Sequence, residues 1–225
     1  MSEAVQVTRN DGTLVRYCTP SLEQEFCRVC GTGVWGTHLN GPLSSKKSLN
    51  LRTIRDVNPF DFEKRTEPPQ QHSDKVLGSP ATGSCHCGKV SVSLLIPLEQ
   101  LDVKEDNCSI CTRNAWIGVY PSKSQVVING EEHMQEYRFG RKFNGNPFCR
   151  FCGVHVYLNL YGPPQEVVDR LSIEKQEYIR RMLDVKPVNI RTLDTIDVED
   201  LDVVRSNEGT EGYEATVLGI AVGSK

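Results

Sequence analysis

Eight of the nine cysteines in this chain fall in close pairs, Cys27/Cys30, Cys85/Cys87, Cys108/Cys111 and Cys149/Cys152, and only Cys18 stands apart. The chain opens Met1-Ser2-Glu3, without a charged start leading into an apolar core, and no apolar run nears the roughly 20 residues of a membrane span. The expected address is therefore cytoplasmic, where thiols are kept reduced and structural disulfides are rare. Paired thiols in that setting point to metal ligation or thiol chemistry. At 225 residues the chain can bury an adequate core without cross-links, as one domain with additions or two small ones. A formal charge of −3 with interspersed signs offers no basic stripe for a phosphate backbone, so nucleic acid is not an expected partner, and neither is a membrane.

The chain also echoes itself. Phe26-Cys27-Arg28-Val29-Cys30-Gly31 returns as Phe148-Cys149-Arg150-Phe151-Cys152-Gly153. A Leu-x-Gly-Pro segment follows each copy (Leu39 to Pro42, Leu160 to Pro163), then Asn50-Leu51-Arg52-Thr53-Ile54 against Asn189-Ile190-Arg191-Thr192-Leu193. This preserved order reads as a duplicated unit whose first copy starts too late to hold counterparts of Cys85 or Cys108. The expected organisation is a degenerate C-terminal half of a first zinc β domain over 1–65, a polar, proline-bearing linker over 66–82, a complete domain over 83–213 and a tail over 214–225. Pairing between two chains through the incomplete first half is one way its unfinished sheet would be completed.

Short β-type runs dominate the second part: Lys89 to Ile96, Trp116 to Tyr120, and Val126 to Ile128 ending at Asn129-Gly130. An antiparallel, loop-rich fold is expected. After Pro163-Pro164, Val168, Leu171, Tyr178, Ile179 and Met182 recur at helical spacing until Pro187, predicting one amphipathic helix inserted relative to the first copy.

In an extended strand the thiols of Cys85-His86-Cys87 would point to one side and reach one ion, with His86 facing away. Cys149-Arg150-Phe151-Cys152-Gly153 has knuckle spacing, the glycine relieving the turn. Together the four thiolates make a closed, structural zinc site. Asp106-Asn107-Cys108-Ser109-Ile110-Cys111 offers a second cluster, and three ligands there would leave a fourth position for water or a substrate thiol, as in a catalytic site. Read from its own residues, Asp106 is either a ligand or a turn acid, and the cysteine pair either a metal site or a dithiol.

Taken in order, Gly83-Ser84-Cys85-His86-Cys87-Gly88-Lys89-Val90, Asn107 to Asn114, Tyr137-Arg138-Phe139-Gly140, Phe148 to Gly153 and Val188 to Leu193 resemble the glutathione-dependent formaldehyde-activating enzyme family, which includes the domain of centromere protein V. The resemblance covers about Gly83 to Tyr213. It implies a tent-like (Mss4-like) zinc-binding, mostly β fold with one structural zinc on Cys85, Cys87, Cys149 and Cys152. It also implies a second zinc at a three-cysteine site near bound glutathione. The family's second site usually reads Cys-x-Cys-x-x-Cys, and Asp106 stands here in place of its first cysteine. The implied activity is that of a zinc-dependent carbon–sulfur lyase, like S-(hydroxymethyl)glutathione synthase, acting on adducts of glutathione or another thiol with an aldehyde. Asp106, Cys108 and Cys111 would then be both ligands and catalytic centre. The alternative is a non-catalytic zinc interaction module of the centromere protein V type.

Other residues weigh less. Arg113, Arg138 and Arg141 could meet a glutathione carboxylate but read first as solvated surface, and Trp116 and Tyr120 read as core. Cys27/Cys30 lack an upstream Cys-x-Cys, leaving Cys18 as the remaining thiol that could join them.

Overall fold

The computed structural model describes residues 8–54, 58, 81–194 and 196–207. Most of the linker expected over 66–82, and all of the tail expected over 214–225, lie outside these residues. Among the described residues the fold is mostly β, in four sheets. The first is the antiparallel sheet β1 (Leu14–Cys18), β2 (Leu22–Cys27), β3 (Gly33–His38) and β4 (Lys47–Leu49), in chain order.

The second part builds three small sheets around one core. β5 (Thr82–Ser84), β6 (Ser91–Leu94) and β9 (Val126–Asn129) form one, and β10 (Met134–Tyr137), β11 (Asn144–Cys149) and β12 (Asn159–Leu160) another. In the last, β13 (Val188–Asn189), β8 (Ile117–Val119), β7 (Val103–Asp106) and β14 (Val203–Ser206) lie in that order. The alternation expected around Val90, Val92 and Leu94 holds, all three being fully buried with Val119, Val156, Val188 and Ile190. Cys85, Cys149 and Cys152 belong to this cluster, so the sulfur site sits inside the core.

Two expectations are corrected. The sheets are not purely antiparallel, since β14 pairs with β7 in parallel. The single helix expected before Pro187 is two, a short α2 (Gln165–Val168) and α3 (Ile173–Leu183), because Ser172 takes the extended N-cap conformation and restarts the helix. Only Val168 and Ile179 of its anticipated apolar face are buried, while Tyr178 and Met182 are exposed. No helix among the described residues is long and apolar enough to cross a membrane.

The two halves share local architecture. β1 and β2 pair from Leu14 opposite Cys27, as β10 and β11 pair from Met134 opposite Cys149. In each knuckle the first cysteine N–H donates across the turn, Cys27 to Thr32 O and Cys149 to Val154 O, both at 2.9 Å. Asn50 and Asn189 each accept from the N–H two residues on and donate from Nδ2 to a carbonyl after the knuckle, Gly33 O and His155 O.

Candidate metal centres

The first centre is assembled by two tight turns. Cys85 follows β5, and Gly88, at φ 73°, closes a turn in which its N–H donates to Cys85 O at 2.9 Å. Cys85-His86-Cys87 therefore lies in a turn and not in the extended strand expected from its spacing, because the left-handed glycine folds the chain back. The facing turn runs from Cys149 to Gly153, at φ 79°, with Gly153 N–H on Cys149 O at 2.8 Å. All four sulfurs lie within 4.8 Å of one another, with Cys85–Cys87 and Cys87–Cys149 at 3.5 Å. A tetrahedron of metal–sulfur bonds near 2.3 Å has edges of about 3.8 Å, so the set fits a metal such as zinc.

The electrostatics favour a cation there. A hydrogen bond from Cys152, with Val90 N–H at 3.4 Å and the other thiols, pulls Cys85 down to about 4. The same pairing with Cys85 pushes Cys152 up, and burial pushes Cys149 up to about 11. Four such sulfurs carry several negative charges together only around a cation. His86 does not join the four-sulfur group; its Nδ1 lies 2.9 Å from the Tyr17 hydroxyl of β1 and so ties the first sheet to the turn.

The second centre lies at the end of β7. Asp106, Cys108 and Cys111 bring one ligand atom each within 4.8 Å, with the two sulfurs 3.0 Å apart. Cys108 ends the extended run and Cys111 sits on α1 (Ser109–Arg113), a five-residue helix that the strand pattern gave no reason to expect. Asp106 Oδ1 accepts from Cys108 N–H at 2.5 Å, so the acid shapes the turn as well as facing the thiols. The hydrogen bond from Cys111 holds Cys108 below the ordinary thiol range, and Cys111 is raised by the same bond and by burial.

A small cleft opens beside Cys111, lined also by Asn114, Trp116, Asn146 and His155. Trp116 is core, as expected, but also a wall of this cleft. Gly118 lies between Trp116 and Tyr120 on the strand, and a Cβ there would stand 2.8 Å from the indole Nε1 and 3.0 Å from the Tyr120 hydroxyl. The missing side chain leaves room for the indole and that hydroxyl on the same side of the strand. Burial and the nearby Cys111, Asp106 and Cys108 charges push Tyr120 up to about 12, keeping it a neutral O–H.

The first half of the chain braces this centre, through residues the sequence analysis did not assign to it. Asn50 Nδ2 donates to Arg113 O at 3.1 Å, satisfying the C-terminal end of α1. Arg52 reaches the carboxylate of Glu105, the residue before Asp106, which is 2% exposed and also pairs with Arg205 of β14. The repeated Asn-x-Arg-Thr segment was the signal that could have found it. Arg113 spends a guanidinium N–H on Ser109 O and Arg138 one on Lys142 O. Arg141 stacks over Phe143, its guanidinium 5.2 Å from the ring centroid.

Cys18 cannot complete the first knuckle. It lies opposite Glu23 while Leu14 lies opposite Cys27, so four residues of strand, about 13 Å, separate it from Cys27. Among the described residues, no third His, Cys, Asp or Glu gathers with Cys27 and Cys30.

Residues 80–181 match the family described as glutathione-dependent formaldehyde-activating enzyme. Among solved structures, a crystal structure of a Rhodobacter sphaeroides protein, a structural-genomics target, is similar with a TM-score of 0.42. It is 24% identical over 55% of this chain and 97% of that one.

Proposed function

Residues 80–181 belong to the glutathione-dependent formaldehyde-activating enzyme family, and from that footing we propose that the chain is a zinc-dependent carbon–sulfur lyase. Its substrate would be an adduct of glutathione or another small thiol with an aldehyde. One observation carries this reading: Asp106, Cys108 and Cys111 form a three-ligand cluster beside a cleft, and so leave a coordination position for substrate.

Zinc held there would supply Lewis acidity and stabilise a substrate thiolate. The chain's own residues do the rest. Asp106 as an oxygen ligand makes the site harder than three thiolates would. Trp116 walls the cleft against water, and the Tyr120 hydroxyl stays protonated and available as a donor. Cys85, Cys87, Cys149 and Cys152 would hold the other zinc, with no open position, as the frame.

A second reading, a non-catalytic zinc module of the centromere protein V type, is favoured by the bond from Cys108 N–H to Asp106 Oδ1, which is what a turn-capping acid makes. Elemental analysis of wild type and Asp106→Ala separates the two. About two zincs per chain falling toward one in the variant, with loss of formaldehyde and glutathione consumption, is the lyase result. One zinc in both proteins overturns it.

A further inference from the structure

Helix α1 carries Cys111 but is too short to hold itself. At five residues it lies far below the length at which a helix is stable alone, so its place depends on contacts outside its own turns. Each of its last four carbonyls is hydrogen bonded. Ile110 O accepts from Asn114 N–H at 3.2 Å and from its Nδ2 at 3.1 Å, Cys111 O from Trp116 N–H at 2.9 Å, and Thr112 O from Ala115 N–H at 3.2 Å. These three carbonyls are served by the turn that ends the helix, where Ala115 takes φ 50°, a left-handed conformation that its Cβ disfavours. The fourth, Arg113 O, takes its bond from Asn50 of the first half.

Asn50 caps a single 3-10 turn, Leu51–Thr53, from which both ligand-bearing elements are reached. Its Nδ2 donates to Arg113 O at 3.1 Å and to Gly33 O at 2.8 Å, tying α1 to the start of β3. Two residues on, Arg52 Nη1 lies 3.6 Å from the carboxylate of Glu105, the neighbour of Asp106 on β7. The turn is closed by its own side chains, since Asn50 Oδ1 accepts from Arg52 N–H at 3.1 Å and Thr53 Oγ1 donates to Asn50 O at 2.7 Å. Asn189, the counterpart in the second copy, donates to His155 O at 2.9 Å as Asn50 does to Gly33 O. The bond to Arg113 O is what Asn50 adds to that shared pattern.

We propose that Asn50 is a positioning residue for the open centre: the half copy holds α1 in the place where Cys111 can share a metal with Asp106 and Cys108. The proposal rests on the metal that the lyase reading puts there, and not on turnover. Asn50 is neither one of the three ligands nor a wall of the cleft, so it acts through the backbone of α1. The left-handed Ala115 gives the helix end a reason to relax once the tie to Arg113 O is cut. Cys111 and Trp116 would shift together, because the Trp116 N–H is bonded to Cys111 O. One hydrogen bond from the first half thereby governs both a metal ligand and the wall of the cleft.

The test compares the full-length, zinc-loaded wild type with two variants. Asn50→Ser keeps an acceptor for Arg52 N–H and removes the amide donor, while Thr53→Val removes a bond internal to the same turn. A chromophoric chelator titrates the bound zinc, and the zinc that Cys111→Ser lacks identifies the open centre. Asn50→Ser holds that zinc about tenfold more weakly, the worth of one hydrogen bond, and keeps the four-sulfur zinc at wild-type affinity. Thr53→Val holds both zincs as the wild type does. Cobalt(II) put into the open centre of Asn50→Ser shows weaker visible bands than in the wild type, a change of ligand geometry that lost stability alone does not produce. Wild-type affinity and cobalt bands in Asn50→Ser, or equal losses in Thr53→Val, overturn the proposal, and lyase activity of the wild type then leaves that reading in place. Two zincs and the Asn50→Ser effect, without consumption of formaldehyde and glutathione, overturn the lyase reading and uphold the proposal. A single zinc in the wild type overturns both.

Discussion

Arg52 places its guanidinium 3.6 Å from Oε1 of Glu105, a buried carboxylate oxygen that no hydrogen bond satisfies. The partners lie on opposite sides of the expected linker, so one ion pair couples the half copy to the strand that carries Asp106. Removing a partner from a buried pair leaves a charge without compensation, at a cost of 3–5 kcal/mol when nothing remains. Arg205 remains here, so Arg52→Ala should cost about 1–3 kcal/mol, with partial rescue by Arg52→Lys. Urea denaturation of the metal-loaded proteins measures it, and unchanged stability in Arg52→Ala would show that the brace carries no weight.

The two knuckles also interlock. A Cβ on Gly153 would stand 2.7 Å from the Phe26 ring, and one on Gly31 would stand 2.6 Å from the Phe148 ring. Each copy's glycine receives the other copy's phenylalanine, and both rings are essentially fully buried. Alanine at either position meets backbone strain of about 1–2 kcal/mol and overpacking of about 1–3 kcal/mol. Gly88→Ala is the control, since φ there is also positive but nothing lies within 4 Å of the added carbon. Thermal melts should rank Gly31→Ala and Gly153→Ala well below Gly88→Ala. Equal losses would mean that strain alone matters and the interlock does not.

Local signals made the four-sulfur centre legible. Cys-x-Cys and Cys-x-x-Cys each pre-form half of it, and the buried alternation of Val90, Val92 and Leu94 marked a strand leading away from it. Even the wrong expectation of an extended Cys85–Cys87 segment named thiols that the structure brings together, because a turn closed by Gly88 also brings both sulfurs to one side. What stayed hidden was non-local. The repeat around Arg52 marks the segment but not its partner Glu105, and no periodicity announces that Val203–Ser206 will pair in parallel with Val103–Asp106. Helix α1 was hidden for another reason, being too short to show a period.

The two centres should fail differently. Cys85 is fully buried in the main core and joins the β5–β6 turn to the end of β11, so Cys85→Ser removes a tie between two sheets. A structural zinc supplies folding free energy outright, so this variant should lose cooperative unfolding. Cys111 is only partly buried and hangs on a five-residue helix, so Cys111→Ser should keep a cooperative melt while losing zinc from the second centre alone. Near-ultraviolet circular dichroism with zinc analysis checks both; a folded Cys85→Ser protein would remove the structural role assigned to the first centre.

His155 adds a pH dependence separate from the thiols. Its Nε2 lies 3.0 Å from Cys30 O, and since a carbonyl only accepts, the neutral ring carries its proton on Nε2. Burial disfavours the imidazolium and lowers the pKa from 6.5 to about 4, against smaller opposing contributions from the Cys30 and Pro147 carbonyls. The folded protein therefore resists a proton that the unfolded chain takes up. Stability is fully present above pH 6.5, falls as pH drops from 6.5 to 4, and stops falling from this cause below 4. The whole window amounts to about 3 kcal/mol, at about 1.4 kcal/mol per pH unit. His155→Gln removes this titration while the thiols still compete with protons for metal. The variant's denaturation free energy should consequently fall less steeply than the wild type's across that window, by about one proton's worth of slope. Parallel curves for the two proteins would show that His155 titrates alike in the folded and unfolded chain, and that its burial does not govern its charge.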